Sequence, residues 1–111
     1  MKHLDKITEG ISDVLKKFVF EENNEQNRKA INKMVTEIAE QYKSNMHDYL
    51  VICDERVNTE EVINNNEFVC HFYFQENAGD EFILSEQRVV KTKIDDPIDF
   101  NSIEDEIHKR N

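Results

Sequence analysis

Residues 67–75, EFVCHFYFQ, alternate along their length: Phe68, Cys70, Phe72 and Phe74 fall on one side of an extended chain, Val69, His71 and Tyr73 on the other. No other stretch constrains the fold as strongly. Three phenylalanines and a thiol on one face of a strand must be covered, and strict alternation leaves only one register that covers them. With 111 residues and 38% apolar content, the chain has material for one domain and one small core. The cover for that strand therefore comes from the rest of the same short chain.

Two helices supply it. Leu4, Ile7, Ile11, Val14, Leu15 and Phe18 recur at three- and four-residue steps as one apolar stripe. Gly10 weakens that helix by up to about 1 kcal/mol relative to alanine without interrupting the stripe. The apolar triplet at 18–20 closes the segment. Asn23 with Gln26 forms a capping-box pattern, which predicts the start of a second helix whose stripe is Ile31, Met34, Val35, Ile38 and Tyr42.

Strand signals follow. Residues 48–53, DYLVIC, form a short apolar run and read as a strand buried on both faces. Asn58, Thr59, Glu60 and Glu61 repeat the capping logic, so 59–64 reads as one helical turn. Asn64, Asn65 and Asn66 stop it, asparagine being tolerant of left-handed backbone angles. Residues 76–81 read as a hairpin loop around Gly79, and 81–93 as the return strand. Its polar middle, Ser85 to Arg88, suits an exposed stretch or a sheet edge. The expected fold class is α+β: two N-terminal helices packed on a small mixed or antiparallel sheet, over residues 1–92.

Residues 93–111 differ in character. They hold the single proline, Pro97, then Asn101 as a cap with Glu104 three residues on. Ile98, Phe100, Ile103 and Ile107 are the apolar residues with which this acidic arm and its short helix would dock on another surface. A helix this short is marginal in water by itself.

The chemistry-bearing residues are sparse. A formal net charge of −10 argues against a phosphate-binding surface and against nucleic acid as a partner. Two glycines leave no glycine-rich phosphate loop. No apolar run has the length of a membrane span, and the opening MKHLDKITEG lacks the apolar core of a secretion signal, so a soluble protein made inside the cell is expected. Cys53 and Cys70 then read as reduced, buried thiols.

Cys53 is followed by Asp54 and Glu55, whose charges would raise a thiol pKa, and His71 points away from Cys70 on a strand. A cysteine–histidine nucleophile is therefore the weakest reading. His3, His47, His71 and His108 keep no zinc-ligand spacing, and no calcium-loop pattern occurs. The carboxylates of Asp54, Glu55, Glu60 and Glu61 show no apolar pocket that would tune one for acid–base work. The expectation is a protein with no enzymatic activity and no cofactor, in which Asp54 and Glu55 satisfy backbone donors of their loop.

Two spaced blocks resemble a known family. CDERVNTEEVINNNEFV, residues 53–69, is similar to a segment near the C-terminus of the tail sheath proteins of contractile phages. There a strand ends in a V-x-C-D-E-like sequence, an N-T-P-E/D-V-I turn of helix follows, and N-E-F-V opens the next strand. The matching residues are Val51, Cys53, Asp54, Glu55, Asn58, Thr59, Glu61, Val62, Ile63, Asn66, Glu67, Phe68 and Val69. Upstream, FVFEENNEQNRKAI resembles the family's F-V-F-E-P-N-x-x-x-x-R-x-x-I through Phe18, Val19, Phe20, Glu21, Asn23, Arg28 and Ile31. The order and separation of the blocks also match, and together they cover roughly residues 1–92. Glu22 and Glu60 replace prolines of the family pattern, and Ser85, Glu86, Gln87 and Arg88 replace an apolar return strand.

The resemblance implies the inner domain of a sheath protein, where arms from neighbouring subunits add strands to a small sheet and the domain contacts the tail tube. It implies either a domain excised from a longer sheath protein or a separate small protein. Partners would be copies of the chain and other sheath, tube or baseplate subunits, in a homo-oligomeric particle assembled in the bacterial cytoplasm and kept in the virion. On this reading Val69, His71, Tyr73, Ile83, Ser85, Gln87 and Val89 lie at the shared sheet edge, where strand addition takes place. A sheath initiator at the baseplate is the near alternative. An acidic inhibitor that mimics DNA, suggested by the net charge, is the distant one.

Overall fold

The computed structural model describes residues 3–90. Two helices come first: α1 (Leu4–Lys16) and α2 (Glu25–Gln41), the latter followed by a 3-10 turn at Lys43–Asn45. Then come β1 (Asp48–Ile52), the short α3 (Glu60–Asn64), β2 (Glu67–Gln75) and β3 (Ile83–Val90). The strands form one antiparallel sheet in the order β1-β2-β3. The fold is α+β, with helices on one face of a three-stranded sheet.

The alternation of β2 organises the core. Phe68, Cys70, Phe72 and Phe74 are all at most 1% exposed and pack with Ile7, Ile11 and Leu15 of α1 and Ile31, Val35 and Ala39 of α2. Fully burying a side chain of this size contributes roughly 1.5–3 kcal/mol, so these contacts dominate the fold's stability. Phe18, just past α1, meets Phe68 edge-on with ring centroids 6.1 Å apart. Gly10 lies where α1 approaches α2: a Cβ there would stand 3.1 Å from Ile38 Cδ1. The helix-weakening glycine is thus the residue that permits close packing.

Four expectations are corrected. Residues 48–53 are not buried on both faces: Leu50 is half exposed, because nothing among the described residues covers that side of β1. Met34 lies outside the α2 stripe and Ala39 inside it, a small residue serving where the helix runs close to the core. Asn23 does not cap α2; Asn24 does, its side chain accepting the Asn27 N–H at 2.9 Å. Val69, His71 and Tyr73 are not at a sheet edge, since β2 is the central strand and both its flanks are paired.

Ile83, Ser85, Gln87 and Val89 do belong to an edge strand, β3. Ser85, Gln87 and Val89 stand opposite Phe72, Cys70 and Phe68, on the helix side of the sheet, and are half-buried there. Ile98, Phe100, Ile103 and Ile107 lie outside the described residues.

Candidate functional site

The stretch between β1 and β2 is held by the side chain of Asn58. The β1–β2 register pairs Ile52 with His71, and β1 ends there. Two strand positions further on, Val69 of β2 has lost its neighbour. Asn58 replaces it: its Oδ1 accepts the Val69 N–H at 2.8 Å and its Nδ2 donates to the Val69 carbonyl at 2.9 Å. A primary amide carries the same donor and acceptor as a peptide group, so it continues the ladder without a strand. Burial of backbone groups makes that substitution necessary, because an orphaned pair would cost more than the bonds contribute.

The second block reaches the same point. Asn23 Nδ2 donates to Asn58 Oδ1 at 3.1 Å and to the Glu67 carbonyl at 2.8 Å. Arg28 Nη1 in turn donates to Asn23 Oδ1 at 2.9 Å, fixing which way the amide faces. Among the described residues Asn23 and Asn58 are the buried polar side chains, at 5% and 1% exposure. Asn23 and Arg28 from one resembling block, and Asn58 and Glu67 from the other, therefore converge on a single hydrogen-bonded hub. The sequence pointed to these residues, yet its local cap patterns hid the hub itself.

The remaining motif residues serve this loop. The Asp54 carbonyl accepts the backbone N–H groups of Val57 and Asn58, and its carboxylate accepts the Arg56 N–H at 2.9 Å. Hydrogen bonding from the Arg56 guanidinium holds the Asp54 carboxyl below its ordinary pKa. Glu55 is exposed. Thr59 caps α3 by accepting the Val62 N–H, and Asn66 turns the chain into β2 with a left-handed φ of 59°. Glu21 is exposed and Phe20 is 61% exposed, so the apolar triplet at 18–20 contributes Phe18 to the core but leaves Phe20 outside. Cys53 is fully buried, its thiol donating to the Val69 carbonyl at 3.5 Å.

The sheet's other face carries a different surface. Leu50, Tyr73 and Leu84 form one cross-strand row; Ile52, His71 and Glu86 form the next. Leu50, Phe82 and Leu84 are each about half exposed, and Leu50, Ile52, Tyr73 and Phe82 line a shallow cleft of about 360 Å³. The far half of the face is charged. His71 Nε2 meets Glu86 Oε2 at 2.9 Å, Arg88 donates to Glu86 Oε1 at 2.9 Å, and Arg88 also pairs with Glu67. These contacts, Arg88 first, hold the Glu86 carboxyl below its ordinary pKa. His71 is thus hydrogen-bonded to Glu86 within this charged row. β3 flanks this face, and among the described residues no strand pairs with its outer side.

Chemistry of other kinds finds little to work with. Cys70 lies on the helix side of the sheet and His71 on the opposite side. Among the described residues no group of three or more His, Cys, Asp or Glu could hold a metal ion, and no helix is long and apolar enough to cross a membrane. Comparison with protein-family models, with curated proteins and with solved structures gives no match.

Proposed function

We propose that this chain is a structural assembly module of a contractile tail: a sheath or sheath-like subunit that joins copies of itself to one another and to tube or baseplate proteins. The observation that carries this reading is the edge position of β3 beside a half-exposed apolar row. Main-chain donors and acceptors at such an edge recruit a strand from another chain, and the row of Leu50, Tyr73 and Leu84 offers that chain apolar contact as well. The likeness to sheath inner domains supports the reading from a second direction, because residues of both resembling blocks meet in the hub that fixes the loop between β1 and β2. The work is mechanical rather than catalytic. It takes place in the virion, after assembly in the bacterial cytoplasm.

Charged residues in β3 suit an edge that must remain soluble before it is covered. Glu86 and Arg88 neutralise one another there, so covering the strand does not bury a lone charge. Residues 93–111, with Ile98, Phe100, Ile103 and Ile107, are the arm that reaches a neighbour. The test is the molar mass of the chain by light scattering across a concentration series, with and without residues 93–111. Mass that grows with concentration and falls on truncation supports arm exchange between subunits. A monomer at every concentration, unchanged by truncation, overturns self-assembly.

A further inference from the structure

Cys53 and Cys70 are hydrogen-bonded neighbours where the β1–β2 ladder ends. The β1–β2 pairing runs Asp48 with Gln75 through Ile52 with His71 and ends there; continued by one residue, that register brings Cys53 opposite Cys70. Both thiols are fully buried on the helix side of the sheet, within the same apolar cluster. Directly opposed residues of antiparallel strands have Cα atoms about 4.5 or 5.5 Å apart, depending on the pair type. Both separations fall inside the window of roughly 4.4–6.8 Å that a disulfide spans.

We propose that Cys53 and Cys70 are a redox modification site, a dithiol that a low-molecular-weight disulfide converts to an intramolecular disulfide without unfolding the chain. The bond would close the loop of residues 54–69 that carries Asn58, so oxidation locks the hub covalently to β2. This inference stands apart from the assembly role.

The order of events follows from the surroundings. Cys53 lies against a surface cleft of about 380 Å³ that Glu25, Arg28, Lys29, Lys33, Asp54 and Glu55 also line, so a reagent approaches from that side. The Cys70 thiol is held protonated by its hydrogen bond with Cys53 and by burial. The Cys53 sulfur, as thiolate, attacks one sulfur of the reagent disulfide RSSR, forming a mixed disulfide and expelling RS⁻. The Cys70 sulfur then gives up its proton, attacks the Cys53 sulfur and expels the second RS⁻. In sum two protein thiols and RSSR give one protein disulfide and two RSH: the protein sulfurs are oxidised and the reagent sulfurs reduced.

The test exposes the full chain, in native buffer below its melting temperature, to glutathione disulfide. Thiols are then alkylated under denaturing conditions and the intact mass is measured. The expected product is a monomer lighter by two hydrogen atoms, free of alkylation at either cysteine, and melting several degrees higher until a dithiol reductant reverses the change. The Cys70→Ser variant should instead stop at a glutathione adduct on Cys53, which establishes that the cleft admits the reagent. Two alkylated cysteines after exposure of the parent chain would overturn the proposal. So would a persistent glutathione adduct on the parent, or a disulfide found only between chains.

Discussion

The side-chain amide of Asn58 occupies the place of a missing strand residue opposite Val69, accepting its N–H at 2.8 Å and donating to its carbonyl at 2.9 Å. One side chain thereby ends β1 early, keeps the β2 ladder satisfied and fixes the loop that precedes α3. Asn23 and Arg28 hold the amide in that orientation from the other end of the chain.

Removing that amide should therefore be costly. Asn58→Ala leaves the Val69 N–H without a partner and its carbonyl with only the Cys53 thiol, in a site closed to water, and is expected to cost about 2–4 kcal/mol in urea denaturation. Asn23→Ala should cost less, since Asn23 donates to one oxygen of the hub and one carbonyl. The double variant should be milder than the sum by about 1 kcal/mol, the signature of residues acting through one network.

Asn66 tests the entry to β2 separately. Its φ of 59° lies in the left-handed region, which glycine adopts freely and β-branched residues resist. Asn66→Gly should change stability by less than about 0.5 kcal/mol, whereas Asn66→Val should cost roughly 1–2 kcal/mol. Equal losses from both substitutions would mean that the asparagine side chain, not its backbone, matters there.

High pH probes the junction of β1 with α2. Burial, together with a hydrogen bond to Glu40, pushes the Tyr49 hydroxyl up to about 12 from the usual 10.0. The raised value means the folded state binds the proton more tightly. Its contribution is complete below pH 10 and is lost as pH rises towards about 12. Thermal melts should therefore fall across that window, and Tyr49→Phe should flatten the fall. Ultraviolet titration should show one tyrosine ionising late and disappearing in the variant.

The parts of this fold that were legible in the sequence are those set by short-range periodicity. β2 emerges from its alternation, α1 from its stripe, and the turn at Asn66 from asparagine's backbone tolerance. The hub escaped because its pattern is ambiguous at short range. Asn23 and Asn24 are both followed three residues later by a plausible partner, and only contacts 35 and 44 residues away, to Asn58 and the Glu67 carbonyl, decide which one caps. β1 was misjudged for a related reason: an apolar run reports affinity for a core, not whether a second layer exists to cover its far side. Alternation likewise assigned Val69, His71 and Tyr73 to a face, but a face does not say where a strand sits in its sheet.

The assembly account rests most directly on β3, and amide hydrogen exchange reads that strand residue by residue. Exchange at Ile83–Val90 should be compared in dilute and concentrated solutions of the full chain. The account predicts that the amides of β3 facing away from β2 exchange quickly when dilute and become protected as concentration rises, while those bonded to β2 are protected throughout. An exchange pattern in β3 that is identical at every concentration would contradict it.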